Sequence, residues 1–259
     1  MADHPVGEIT PSTPGGRPVF WAATGRTGGA STGPYSSFNL AAHVGDDDRA
    51  VHRNRALLEQ SLGVDDLVVM SAVHGAGVVD VDDSVLAAGT DPVGDALTTS
   101  MPEVGLVALG ADCLTIGIAG DDDASVGVIH CGWRGLVVDV VGATLRRLQE
   151  AGVRPSGIVL GPAICGACYP VPGERAAEVR DVCDREVAEA AVMTCPDGQP
   201  GIDVRSAVRV VLRQWSVPDS AIVSVGSCTA EDARLFSHRR DGVTGRQGMG
   251  IVRRGTMTP

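Results

Sequence analysis

Residues 104–131 carry two apolar, β-branched runs, VGLVALGADCLTIGIAG (104–120) and ASVGVIHC (124–131), parted only by three aspartates. Neither run alternates polar and apolar residues, so each must be covered on both sides. The longer run predicts a buried strand or a hairpin. The shorter predicts a buried strand that runs into a turn. Helical spacing of apolar residues appears around them, at 47–63 (an acidic start and a glycine stop), 136–153 (ending at Gly152), 172–191 (Pro172 near its start) and 203–217. Further strands are predicted at 18–26, around His74 within 67–83, at the start of 156–170 and at 221–229. Residues 28–50 read as loop, and 234–254 as a basic loop returning into a short final strand. Strands alternating with helices predict an α/β fold with a large mixed sheet. Aromatic residues are only 3% of the chain, so this core rests on Val, Leu, Ile and Ala. The Pro-, Gly-, Ser- and Thr-rich residues 1–17 read as a flexible lead-in, and 18–259 as one domain without repeats or a linker.

Charge and cysteine content narrow the function. The chain has a net charge of −11 and no lysine, so all 21 basic residues are arginine. Bulk electrostatics therefore disfavour nucleic acid and anionic membrane as partners, while a few arginines can still hold a small anion. No run approaches 18 consecutive apolar residues, which predicts no membrane span. Nothing at the N-terminus resembles a secretory signal. Seven irregularly spaced cysteines predict reduced thiols and a cytoplasmic setting.

Three segments pass from an apolar run into small residues while carrying a metal-capable side chain: AVHGAG around His74, GADCLT around Cys113 and VIHCGWRG around His130. Strand ends of this kind converge on one side of a sheet. Two imidazoles and a thiolate make a three-ligand set for zinc with a fourth position open, the pattern of sites that acidify water or polarise a substrate. Cys131 follows His130 directly, so strand alternation turns it toward the core. Arg134, beside Trp133, suits an anion such as phosphate. Arg239 and Arg240 could add to an anion site. Two common hydrolase and nucleotide signals are absent: H-E-x-x-H and the Walker lysine. Cys165-Gly-Ala-Cys168 is a C-x-x-C, but the Tyr-Pro-Val-Pro that follows opposes a helix there, and a structural loop with small thiols is favoured over a redox motif.

The segments GPYSSFNLAAHVGDD, VHGAGVV, DALTT, GADC, HCGWRGL, LGPAICGACYPV and FSHRRDGVTGRQG stand in the order and spacing of the YfiH family, which this chain resembles from about residue 18 to 253. That family has also been called a multicopper polyphenol oxidase laccase family and a family of purine nucleoside phosphorylases. The resemblance implies an α/β (α+β) sandwich of YfiH type, with mixed sheets flanked by helices. It implies zinc on His74, Cys113 and His130, with copper the less favoured metal. It also implies phosphorolysis of adenosine, inosine, guanosine and methylthioadenosine, together with adenosine deamination. Purine nucleoside and phosphate would be the small-molecule partners of a monomer or homodimer. Arg134 would hold phosphate, with Arg55, Asn39 and Arg240 as further substrate contacts, and Asp112 would act as a proton shuttle or as a residue orienting the site. Two alternatives follow from the same residues. One is a cysteine or metal hydrolase that edits peptidoglycan, with Cys113 as nucleophile and His130 or His74 as base. The other is a copper-dependent polyphenol oxidase, which six scattered histidines without an H-x-H pair oppose. The chain departs from the family pattern at Ala72, Cys131, Ala167, Pro170 and Gln247, positions that bear on substrate-edge contacts.

Overall fold

The computed structural model describes residues 6–9, 19–121 and 124–255. The strands in chain order are β1 (Val6–Ile9), β2 (Val19–Ala23), β3 (Asp66–Val69), β4 (Val78–Asp80), β5 (Ala96–Thr99), β6 (Val104–Gly110), β7 (Leu114–Gly120), β8 (Val126–Cys131), β9 (Pro155–Leu160), β10 (Val192–Thr194), β11 (Pro200–Ile202), β12 (Ile222–Ser224) and β13 (Gln247–Arg253). The helices are α1 (Asp48–Leu62), α2 (Asp83–Ala88), α3 (Trp133–Val137), α4 (Val140–Glu150), α5 (Gly173–Val182), α6 (Arg185–Ala191), α7 (Val204–Gln214) and α8 (His238–Asp241).

The strands form a five-stranded sheet of order β1-β2-β13-β6-β3, a six-stranded sheet of order β12-β9-β7-β8-β5-β4, and the small pair β10-β11. Both large sheets are mixed, with β3 parallel to β6 and β4 parallel to β5. Their facing surfaces share one core, in which Leu106, Ala108, Met249 and Ile251 of the first sheet meet Leu97, Val126, Val128 and Val159 of the second. Alternate residues point outward. Val107 and Leu109 meet Leu58 and Leu62 of α1, while Ile116, Ile118 and Ile129 meet α4 and α7 through Leu145, Val208 and Leu212. The result is a helix, two stacked sheets, then helices, which explains why the apolar runs show no polar face. Each such side chain contributes about 1.5–3 kcal/mol when fully buried.

The 104–120 run is not a hairpin. Its halves β6 and β7 belong to different sheets, joined by Ala111, Asp112 and Cys113. Asp112 has φ of 119°, and this turn carries the chain from one layer to the other. A Cβ at Gly110 would lie 2.7 Å from the Cys113 carbonyl oxygen, so the crossing has no room for a side chain.

Helix 47–63 is present as α1, capped by the Asp47 side chain on the Arg49 amide and stopped at Gly63 with φ of 63°. The 136–153 segment is split: Leu136 and Val137 end α3, and the chain breaks at Val138 and Asp139 before α4, which Asp139 (φ of 56°) caps through the Gly142 amide. The 172–191 segment breaks at Cys183 and Asp184, where Asp184 caps a new helix. The strand within 221–229 is limited to β12. The terminal basic segment contains α8, and its final strand β13 is seven residues long, central in its sheet and not a peripheral return. Within 1–17, Val6–Ile9 pairs antiparallel with β2; the rest of that segment lies outside the described residues, as do two of the three aspartates at 121–123.

Candidate metal centre

Strand alternation on β8 decides which side chain reaches the site. Val126 and Val128 face the space between the sheets, and Ile129 and Cys131 face the helices. His130 therefore points between the sheets at the end of the strand, as the sequence predicts for a His130 and Cys131 facing opposite ways. Cys113 ends the crossing from β6 to β7, and His74 lies in the loop between β3 and β4. One ligand atom from each of His74, Cys113 and His130 lies within 4.8 Å of the others. The Cys113 Sγ is 3.9 Å from His74 Nε2. The two imidazoles are perpendicular with centroids 4.9 Å apart. Tetrahedral zinc, with bonds near 2.3 Å to sulfur and 2.0–2.1 Å to nitrogen, sets an S···N edge of about 3.6 Å. The donor set fits, needing a contraction of about 0.3 Å on that edge. Gly132 makes room for it, since a Cβ there would fall 2.7 Å from Cys113 Sγ.

Asp95, at the start of β5, holds two of these ligands and was not anticipated from sequence. It is fully buried. One carboxylate oxygen lies 3.0 Å from His130 Nδ1 and accepts from the His74 amide at 2.8 Å. The other accepts from the Gly75 amide at 2.7 Å and the Val73 amide at 3.3 Å. A carboxylate only accepts, so the His130 proton sits on Nδ1 and Nε2 is left for a metal. The amide bonds also hold His74 in a left-handed conformation, φ of 61°, that a non-glycine residue rarely adopts. The sequence signals for Asp95 were a lone carboxylate entering a buried strand and its place at the head of the family segment DALTT, neither of which assigned it a role.

Burial would raise the Cys113 thiol, but the charge of His130 and hydrogen bonds to both histidines overcome it and bring the thiol down to about 6. Burial opposes charge on His130 as well, yet Cys113 and Asp95 raise its pKa. Cys131, walled off in the core, is pushed up and stays a neutral thiol. The Asp95 carboxyl, despite burial, is lowered by its bonds to His130, Gly75 and His74. Replacing Asp95 with Asn would set an NH2 group against either the His130 Nδ1 proton or the backbone amides. Asp95→Asn is expected to weaken zinc binding about 10–100-fold, measured by competition with a chromogenic chelator.

The triad opens into a cavity of about 380 Å³, a size that suits a small ligand. Arg134, Arg239 and Arg246 line it together with Trp133 and Tyr169. Arg134 lies against Trp133, its Cζ 5.3 Å from the ring centroid, and Arg239 over Tyr169 at 4.8 Å. Arg246 donates to the Thr244 and Gly245 carbonyls.

Arg55, Asn39 and Arg240 sit outside the cavity lining. Arg55 pairs with both oxygens of Asp91 and donates to the Leu40 carbonyl, outside the cavity lining. Asn39 is fully buried and ties the Ala41 backbone, Asp46 and the Arg246 amide together. Arg240 spends its guanidinium on Asp241 and on the carbonyls of Thr229, Asp232 and Leu235. Asp112 lines the cavity, but its carboxylate accepts from Thr229, Ser237 and the Arg239 amide. It positions the start of α8, which bears Arg239. Arg246 was missed because nothing in TGRQG separates it from a surface arginine.

Residues 20–254 match the model of the family described as multi-copper polyphenol oxidoreductase laccase. The chain is 42% identical over 229 residues to a Streptomyces coelicolor protein named purine nucleoside phosphorylase SCO2081, covering 86% of this chain and 90% of that one. It is 36% identical over 244 residues to a Corynebacterium glutamicum protein also named purine nucleoside phosphorylase, covering 92% and 96%. The crystal structure of YlmD from Geobacillus stearothermophilus superposes with a TM-score of 0.83 at 31% identity, covering 97% of this chain and all of that one.

Proposed function

The chain belongs to the laccase-like YfiH family, and from that premise we propose that it is a zinc-dependent purine nucleoside phosphorylase that also deaminates adenosine. The observation that supports this most is the meeting, in one cavity, of a His-Cys-His ligand set and three arginines. The names of the relatives point the same way. His74, Cys113 and His130 would hold the metal, which when bound supplies Lewis acidity at a position open to the cavity. The donor set serves copper as well as zinc, but a multicopper cluster needs histidine pairs that this sequence lacks.

In phosphorolysis, a phosphate oxygen bonds to the ribose anomeric carbon as the bond to the purine nitrogen breaks, and the departing purine takes up a proton. Arg134, Arg239 and Arg246 hold the phosphate and offset its charge. Trp133 and Tyr169 supply ring faces for the nucleoside. His238 lines the cavity, and its Nδ1 is 2.7 Å from the Gly242 carbonyl. Donation there leaves Nε2 to give or accept the proton. Seven free thiols suit a reducing compartment, the cytoplasm. Among the described residues, no helix is long and apolar enough to cross a membrane.

The test is to incubate zinc-loaded protein with adenosine, with and without phosphate, and separate the products. Adenine and ribose 1-phosphate formed only with phosphate support phosphorolysis, and inosine formed without it supports deamination. No conversion of adenosine, inosine or methylthioadenosine overturns both.

A second reading rests on the chain of contacts Asp95, His130, Cys113, which is also the arrangement of a metal-free thiol hydrolase acting on cell-wall peptides. Alkylation separates the two: a metal ligand is shielded until a chelator is added, whereas a nucleophile reacts at once and loses hydrolysis with it.

A further inference from the structure

A second cluster of ligand-type side chains lies apart from the His74 site. Cys165 precedes a short 3-10 turn and Cys168 ends it, and Cys228 and Glu231 belong to the loop after β12. The three sulfurs and a Glu231 carboxylate oxygen lie within 4.8 Å of one another. Cys168 Sγ approaches Glu231 at 3.5 Å, and the Cys165 amide donates to Cys228 Sγ at 3.3 Å. Backbone contacts hold the two loops in register, with Ala163 bridged to Cys228 and the Thr229 amide on the Ala163 carbonyl at 3.2 Å. The sequence favoured a structural loop with small thiols here. It had no sign that Cys228, 60 residues after Cys168, closes on the same point.

We propose that Cys165, Cys168, Cys228 and Glu231 form a second, structural metal site that binds zinc. Three thiolates and a carboxylate make a closed tetrahedral set of the kind zinc prefers, with no position left for substrate. Zinc–sulfur bonds near 2.3 Å set S···S edges of about 3.8 Å, so closure requires a contraction of at most about 1 Å. Binding releases the three thiol protons. A redox C-x-x-C is disfavoured, because Cys165 and Cys168 stand at a 3-10 turn and the next helix begins only at Gly173, so neither thiol sits at the helix start such a motif uses.

The site would clamp two walls of the catalytic cavity. Ile164 and Tyr169, on either side of the C-x-x-C turn, line that cavity. Across the clamp, Thr229 holds Asp112, which fixes the Arg239 amide. The metal therefore ties the ring under Arg239 to the start of α8, which carries Arg239.

Zinc per chain, measured by plasma emission on full-length protein purified under reducing conditions, tests this. Two zinc per chain are expected in the natural sequence, and one in Cys165→Ser, in Cys168→Ser and in Cys113→Ala. Should the cysteine variants fail to fold, X-ray absorption at the zinc edge of the unaltered protein gives the answer. With both sites filled, one sulfur from Cys113 and three from the second site average to two per zinc. One zinc per chain bearing three sulfurs equally supports the site. One zinc bearing one sulfur, a Cys165–Cys168 disulfide in the zinc-loaded protein, or full zinc retention in folded Cys165→Ser and Cys168→Ser overturns it.

Discussion

Cys113→Ala is expected to reduce phosphorolysis of adenosine at least about 1,000-fold and to remove the zinc bound with His74 and His130. The size follows from two losses at one position. Thiolate is the only anionic donor in the His74, Cys113, His130 set, and two neutral imidazoles hold zinc weakly without it. The metal's stabilisation of developing charge is several kcal/mol, and about 1.4 kcal/mol corresponds to tenfold in rate. The substitution leaves a small void at the sheet crossing, so the fold should survive, which circular dichroism checks. Phosphate-dependent turnover that persists in a folded Cys113→Ala protein lacking the zinc of the His74 site would sink the metal's part in the reaction while leaving the nucleoside reading open.

Arg134→Ala is expected to lower kcat/KM for phosphate about 100–1,000-fold, the loss typical of removing one positioned charge donor. Zinc content should not change, because Arg134 is not one of the proposed ligands. Arg134 is exposed and lies against Trp133, whose other ring neighbour is Arg175, and among the described residues no carboxylate pairs with it. Arg134→Lys keeps the charge but loses the planar fork and the stacking, and should fall between the two. Arg55→Ala is the contrasting variant: its guanidinium is occupied by Asp91, so phosphate KM should stay within about twofold while stability drops by about 1 kcal/mol or less. Initial rates against phosphate concentration for the three proteins decide this, and an equal fall for Arg134→Ala and Arg55→Ala would remove Arg134 from the phosphate site.

The failures in the sequence reading share a cause. Arginines and polar side chains near the site motifs looked interchangeable, because sequence shows which residues are near one another along the chain and not which are already paired. Arg240 and Asn39 are consumed by backbone carbonyls, amides and carboxylates of loops folded against them. Arg246 reaches the cavity from a segment with no distinguishing pattern. Asp95 was invisible for the opposite reason. Its importance is that it is fully buried while facing a histidine 35 residues away and three amides about 20 residues away.

What the sequence determined by itself was the covered character of β7 and β8, the opposite facing of His130 and Cys131, and three metal-capable side chains at the ends of apolar runs. These follow from local rules: hydrophobic pattern and the two-residue period of a strand. Only the tertiary structure decided that residues 104–120 split between two sheets, that the crossing at Asp112 delivers Cys113 to His74 and His130, and that Asp95 orients both histidines. Only it brought Cys228 and Glu231 to the C-x-x-C turn. Each of these depends on long-range pairing, β13 between β2 and β6, and β9 between β7 and β12. No local propensity encodes such pairings, since they are selected by which arrangement buries all the apolar faces at once.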